Sequence, residues 1–444
     1  MLMFGSYMVQ MVRNNAHKLD RPLREKVLRL YKPFKWTPCF LHGLFEKMLM
    51  KRKKMSVIIE FEGDCHHRGY QFVNEMTDKE RRNRMKHNFP KINCCSAEVT
   101  PAVLNSLLAE CGDIRKIYLN RKVTALLDVA VESSHAKEVV RNNQTLTGKG
   151  VTVAVVDTGI YPHSDLEGRI RAFTDFVNQR TEPYDDNGHG THCAGGVAGN
   201  GLASSGKYTG PAPEAELIGV KVLDKMGSGS LETVIRGIDW CIQFNEENPD
   251  RPIDIISMSL GSDALPYENE QEDPVVKAVD AAWDAGIVVC VAAGNSGPDA
   301  KTIASPAVSG KVITVGALDD RDTVNRDDDD VASFSSRGPT IYGKVKPDIL
   351  APGTNIISLR SPGSFLDKLQ KSSRVGTDYM TMSGTSMATP ICAGIAALIL
   401  QQTPGAAPDE VKKLLMEGAD LWKDRDANIY GAGYINAENS IPSA

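Results

Sequence analysis

Ser383-Gly384-Thr385-Ser386-Met387-Ala388-Thr389-Pro390 runs straight into the apolar stretch Ile391-Cys392-Ala393-Gly394-Ile395-Ala396-Ala397-Leu398-Ile399-Leu400. The apolar stretch reads as a helix, and Ser386 stands at its start. A serine there serves as an N-cap, accepting a hydrogen bond from a backbone N–H of the first turn. It also suits a nucleophile, because a helix N-terminus favours negative charge and offers backbone N–H groups to an oxyanion. One serine leaves both readings open, and motifs upstream shift the balance.

The β-branched run at 151–156 reads as a buried parallel strand, and Asp157-Thr158-Gly159 follows it. A carboxylate at the carboxyl end of such a strand lies where α/β sheets hold their active sites. Taken alone, a turn or N-cap aspartate is the plainer reading. A third motif is Asn187-Gly188-His189-Gly190-Thr191-His192-Cys193-Ala194-Gly195. Glycines on both sides of His189 let neighbouring groups approach the imidazole. His189, His192 and Cys193 also suggest zinc, but the i, i+4 spacing of a helical zinc pair is missing. No second Cys/His pair follows at ligand spacing. Asn295, in Ala292-Ala293-Gly294-Asn295-Ser296-Gly297, comes just after a further predicted strand.

These motifs supply an acid, a base and a nucleophile in the order Asp157, His189, Ser386. That is the order of subtilisin, not of chymotrypsin or the α/β-hydrolases. From about residue 147 to the C-terminus the chain resembles the subtilisin family of serine proteases, its bacterial intracellular-type and minor alkaline members most closely. The resemblance implies an α/β fold with a doubly wound, mostly parallel sheet, and serine endopeptidase activity. Ser386 would be the nucleophile, His189 the base, Asp157 its orienting acid and Asn295 the oxyanion-hole side chain. Gly227-Ser228-Gly229 and Ser259-Leu260-Gly261 look like the family's substrate-binding strands. Ala292, Ala293 and Gly294 would form one wall of the primary pocket, Ser259, Leu260 and Gly261 the other, with Ala304 at the base. Small walls imply an apolar pocket for large residues such as Phe, Tyr, Leu or Met. Asp165 matches an aspartate ligand of the family's structural calcium, although the partner loop at 199–213 is longer and Gly/Ser-rich. Catalysis itself implies no cofactor. Cys193 is expected to be buried, lying beneath the histidine.

Strands at 217–222, 253–260, 287–293 and 312–317, with helices at 231–245 and 274–285, continue the α/β rhythm. Upstream, a strand at 57–61 precedes a charged helix across 70–87 and a strand near 93–99. Thr100-Pro101 opens a helix with Val103, Leu104, Leu107, Leu108 and Cys111 on one face. Further strands near 114–119 and 123–127 suggest a ferredoxin-like α+β sandwich. A small unit in this position resembles the family's propeptide. That implies a zymogen that cuts itself within 124–131 and an intramolecular inhibitor. The expected division is an extension of unassigned role at 1–50, a propeptide-like domain at 51–128 and a catalytic domain at 129–444.

Composition narrows the setting. A net charge of −5 argues against nucleic acid as a partner. The apolar run at 391–400 is too short to cross a bilayer, so no membrane is expected. Protein and peptide substrates remain, with broad specificity, because binding through the backbone reads little sequence. No basic residue precedes the apolar start and no small-residue cleavage site follows it. With nine cysteines, an odd number, this points to a reducing, cytoplasmic compartment. Lys51-Arg52-Lys53-Lys54 reads as a solvated linker and Asp327-Asp328-Asp329-Asp330 as a surface loop, with calcium binding as its alternative. The intact Asp157, His189, Ser386 and Asn295 argue against a non-enzymatic scaffold. A narrow processing protease would need acidic pockets, and no acidic cluster stands among the inferred pocket residues.

Overall fold

The computed structural model describes residues 7–30, 42–79, 81–90, 93–119, 127–421 and 426–443. They fall into two compact units, Met1–Val123 and Thr124–Ala444.

In the first unit, helices α1 (Tyr7–Asn14), α2 (Arg21–Arg29) and α3 (His42–Arg52) precede a sheet of strands β1 (Met55–Phe61), β2 (Arg84–Phe89), β3 (Cys94–Val99) and β4 (Ile114–Leu119). Helix α4 (His66–Asp78) links β1 to β2, and α5 (Pro101–Glu110) links β3 to β4. The spatial order is β2-β3-β1-β4 with every neighbouring pair antiparallel, which is the ferredoxin-like arrangement. Along β1, Met55, Val57, Ile59 and Phe61 are buried while the residues between them are not, as a half-covered strand requires. Thr100 caps α5 and Pro101 occupies its first turn, as their order implies.

Two expectations change here, and a third lies outside the described residues. The helix across 70–87 ends at Asp78, and Arg84–Phe89 is a strand. That strand lies at the sheet edge with nearly every side chain exposed, so it carries no apolar alternation to read. The strand at 123–127 falls on residues outside those described, apart from Leu127, which opens helix α6 (Leu127–Ser133). The described part of residues 1–50 is not a separate extension in packing. Met8, Met11, Val12, Leu19, Leu23 and Val27 share one core with Val57, Ile59 and Leu104. The backbone at Lys18–Asp20 also pairs with β4: the Ile117 N–H donates to the Lys18 carbonyl at 2.7 Å and the Asp20 N–H to the Ile117 carbonyl at 3.0 Å.

The second unit is built on strands β5 (Thr152–Asp157), β6 (Ile170–Asp175), β7 (Glu216–Lys221), β8 (Ile255–Met258), β9 (Val288–Ala292), β10 (Ile313–Asp319), β11 (Asp330–Val331) and β12 (Ile349–Pro352). They run in the order β11-β10-β9-β8-β5-β7-β6, with β12 also on β10. Every pairing is parallel except β10 with β11. All residues of β5, β8 and β9 are buried, which is why they read as continuous apolar runs. Helices α7 (His189–Ala198), α8 (Leu231–Glu247), α9 (Pro274–Asp284) and α10 (Thr385–Gln402) pack around the sheet. From Met387 to Leu400, α10 is buried on every side, as its uniformly apolar composition demands. The carboxyl ends of β5, β8 and β9 and the amino ends of α7 and α10 supply the motif residues, on the rim where such sheets bind ligands.

Candidate active site

Asp157 is the last residue of β5 and fully buried. Its Oδ1 accepts from the Thr158 N–H at 2.7 Å and lies 2.8 Å from His189 Nδ1. A carboxylate only accepts, so Nδ1 carries the proton and Nε2 is left as the basic nitrogen. His189 is the first residue of α7. A Cβ on Gly190 would come 2.2 Å from the Gly159 carbonyl oxygen, so only glycine lets this turn close on the Asp157 loop. Burial disfavours the charged ring, but the charge of Asp157 and its hydrogen bond outweigh burial and raise the His189 pKa well above its ordinary value.

Asp185, which the sequence reading passed over, ties the two loops together. Its Oδ1 accepts from Thr158 Oγ1 (2.9 Å), Asn187 N (3.0 Å) and Gly188 N (2.8 Å). Its Oδ2 accepts from Thr191 N (2.9 Å) and Thr191 Oγ1 (2.6 Å). Thr158 Oγ1 in turn accepts from the Gly190 N–H at 2.8 Å. The only sequence signal was an Asp-Asp-Asn-Gly turn ahead of the histidine. Lys221, buried opposite Asp157 in the β5–β7 register, donates to the carbonyls of Thr158 (2.6 Å) and Leu223 (2.8 Å) and to Asp186 (2.8 Å).

The N-cap of α10 is Gly384, so Ser386 stands inside the first turn and is not the cap. Its hydroxyl donates to the Ser259 carbonyl at 3.1 Å, not to His189. One turn further on, Pro390 sits within the helix and has no N–H for the carbonyl four residues back. That carbonyl belongs to Ser386. It is satisfied from outside the helix, by Ser259 Oγ at 2.8 Å and Cys193 Sγ at 3.5 Å. Asn295 follows Gly294, whose φ of +106° favours glycine. The Asn295 Oδ1 accepts from Thr385 N at 2.9 Å and Thr385 Oγ1 at 3.0 Å. Because a backbone N–H can only donate, this contact identifies the oxygen end of the amide and leaves Nδ2 as a donor.

His189, Asn295 and Ser386 line one cleft of ≈ 670 Å³ together with Gly227, Ser228, Gly229, Ser259, Leu260, Gly261, Ala292 and Gly294. Ala293 is the exception. It is buried in the core while Ala292 and Gly294 on either side line the cleft. Ala304 lies between the two walls. A Cβ on Gly294 would be 3.0 Å from the Ala304 Cβ, and one on Gly261 would be 3.4 Å from it. Asp263, exposed, is an acidic side chain along this cleft.

Cys193 is buried with its sulfur 3.8 Å from His189 Nδ1. Burial pushes its pKa up, which keeps it a thiol. Asp157, His189 and Cys193 have ligand-capable atoms within 4.8 Å of one another, but His192 does not join them. Its Nε2 faces the Ile356 and Met380 carbonyls at 3.1 and 3.2 Å, and burial with the neighbouring His189 lowers its pKa to about 3. Asp165 does not fit a calcium ligand. Its Oδ1 accepts from the Ala203 N–H at 2.8 Å and its Oδ2 from the Tyr379 hydroxyl at 2.7 Å. Its backbone oxygen accepts from Asn200 N and Arg169. Hydrogen-bond donors stand where a cation would have to approach.

Residues 148–433 match the Subtilase family (Peptidase_S8). The chain belongs to that family and is a subtilisin-like serine peptidase. It is 74% identical over 440 residues to serine protease AprX of Bacillus subtilis (strain 168), covering 99% of this chain and 100% of the relative. It is 37% identical over 305 residues to subtilisin Savinase of Lederbergia lenta, covering 69% of this chain and 96% of the relative. A crystal structure of a cold-adapted subtilisin-like serine proteinase superposes with a TM-score of 0.53 at 31% identity, covering 70% of this chain and 98% of that one.

Proposed function

We propose that the enzyme hydrolyses peptide bonds of proteins and peptides as a broad serine endopeptidase, through an acyl-enzyme on Ser386. His189 Nε2 takes the Ser386 proton as the hydroxyl attacks, then returns it to the leaving amine. Asp157 orients the ring and stabilises the imidazolium. Asn295 Nδ2 and the Ser386 backbone N–H bind the oxyanion. Loss of such a side-chain donor raises the barrier by about 2.7–4 kcal/mol. Water then releases the acyl group. The observation that carries this reading is the 2.8 Å contact of Asp157 with His189 in a cleft that also holds Ser386 and Asn295.

Substrate backbone adds as a strand between residues 227–229 and 259–261. The primary pocket, walled by Ala292, Gly294, Ser259, Leu260 and Gly261 over Ala304, takes an apolar side chain. The first unit acts as a propeptide that inhibits its own enzyme until a cut within 124–131. Its ferredoxin-like topology and its place ahead of the peptidase support this. The enzyme works in a reducing, cytoplasmic setting. The eight cysteines among the described residues are all free, and no helix among those residues is long and apolar enough to cross a membrane.

The test is the intact mass of the purified chain beside Ser386→Ala, with apolar-P1 peptide hydrolysis assayed on both. The wild type is expected to split within 124–131 and hydrolyse peptide, and the variant to remain whole and inert. A wild type that stays whole and inert supports a binding scaffold instead. A substrate library that selects Lys or Arg at P1 overturns the apolar pocket.

A further inference from the structure

In the acidic run at 327–330, Asp327 and Asp328 are exposed, as composition suggests, but Asp329 is buried. Strands β10 and β11 pair antiparallel with Leu318 opposite Val331 and Asp319 opposite Asp330. Asp320 and Asp329 are the first residues beyond this last pair, one on each side of the hairpin mouth and close enough for their charges to act on each other. Strand alternation turns them to the face opposite that of Asp319 and Asp330.

The two faces are equipped differently. Asp319 is paired with Arg321 at 3.1 Å, and Asp330 Oδ1 accepts from Val331 N and Tyr430 Oη, each at 2.8 Å. Asp320 and Asp329 are 2% and 5% exposed. The Asp322 N–H donates to Asp320 Oδ1 at 3.2 Å, but Asp320 Oδ2 and both oxygens of Asp329 are buried with no hydrogen-bond partner. Neither arginine of the same loop hydrogen-bonds Asp320 or Asp329: Arg321 pairs with Asp319, and Arg326 is committed elsewhere. Its guanidinium binds the Ser133 carbonyl and the Asp420 carboxylate, and lies 3.8 Å from the centre of the Tyr434 ring.

Like charges opposed across a ladder repel, and a buried carboxylate without a partner is costly. A bound cation removes both penalties. We propose that Asp320 and Asp329 hold a calcium-class divalent cation that closes the 320–329 loop. Calcium is favoured over magnesium because an all-oxygen site in an irregular loop satisfies its flexible coordination, whereas magnesium demands a near-ideal octahedron. Loop carbonyls and water complete the shell. The site is separate from Asp165, whose oxygens are already occupied by donors.

The experiment uses the full chain carrying Ser386→Ala, to prevent self-digestion, stripped with EGTA and titrated with calcium chloride by calorimetry, with thermal melts in parallel. One calcium is expected to bind and raise Tm. Asp320→Asn or Asp329→Asn should weaken that binding by about tenfold or more, since even outer-shell losses cost that much. Asp165→Asn should leave it unchanged. No calcium binding, binding indifferent to both loop variants, or binding lost only in Asp165→Asn each overturns the proposal. If the single variants fail to fold, the double variant Asp320→Asn/Asp329→Asn removes both charges at once, and calcium binding that survives in it overturns the proposal too. A parent that binds no calcium, with a double variant that melts higher, identifies a proton shared between the carboxylates, which also overturns it.

Discussion

Asp185→Asn is the most exacting test of how the site is held. The substitution keeps the shape of the side chain but replaces one acceptor oxygen by an NH2 group. In the wild type three donors converge on Oδ1, and Thr191 N and Oγ1 converge on Oδ2. With the amide oxygen kept toward the three, the NH2 faces Thr191. The threonine hydroxyl can rotate to accept, but the backbone N–H cannot. Hydrogen bonds to a charged acceptor are worth about 1.5–3 kcal/mol, and an unsatisfied buried donor costs about 1–3 kcal/mol. The expected loss is roughly 3–5 kcal/mol. At about 2.1 cal/mol/K per residue across Thr124–Ala444, this lowers Tm by roughly 4–7 °C. The same carboxylate fixes Thr158, and through it Gly190, so Asp157 and His189 lose their common anchor. A displacement near 1 Å costs about a hundredfold in rate. Because Asp185 does not line the cleft, kcat should fall by about 10–100-fold with KM little changed. Melts are measured in the Ser386→Ala background and kinetics in the active enzyme. If Asp185→Asn loses Tm but keeps kcat, Asp185 serves the fold alone and its positioning role is refuted. If both are unchanged, the network is wrongly read.

As the proposed base His189 would have to be neutral, and its pKa is raised because the charge of Asp157 outweighs burial. The protonated, inactive ring therefore persists to higher pH, and the acid limb of kcat/KM should lie above the ordinary value of about 6.5. Asp157→Asn should lower kcat by about 10⁴ and shift that limb downward; a wild-type limb at or below the ordinary value contradicts the assignment. A mercurial bound to Cys193 would crowd the ring 3.8 Å away, so the wild type should be inhibited and Cys193→Ser active but resistant. Equal sensitivity in the variant would assign the effect to another thiol. Ala304→Gly deepens the pocket floor and should favour Phe over Leu at P1 by about tenfold in kcat/KM, one small group in an apolar pocket being worth that much; an unchanged ratio places Ala304 away from the P1 side chain.

The residues gathered in the cleft were legible because each carries its own local signature. Gly190 and Gly294 are needed where backbone passes close or φ turns positive, and such needs are written into short motifs. The parallel strands were legible because burial on both faces makes them continuously apolar. Asp185 was not legible, since its importance lies in donors from residues 158 to 191 that meet only in the fold. Arg84–Phe89 failed for the opposite reason, because an exposed edge strand places no demand on side-chain pattern. Ala293 was assigned to a wall by its neighbours, and only the folded chain shows which of three consecutive residues face the cleft. Asp329 read as solvated by composition, yet hairpin register buries it.

Pro390 has a consequence for how the enzyme keeps its alignment. An uninterrupted helix would set the height of Ser386 by its own repeat, independent of what surrounds it. Here the repeat is interrupted at the carbonyl of Ser386, and the missing link is supplied by Ser259, the residue just beyond β8. Ser259 also begins the segment against which a substrate backbone would lie. The Ser386 backbone and the segment proposed to carry the substrate are thus tied by a direct hydrogen bond, so a slide of the helix along its axis would have to break that bond or carry Ser259 with it.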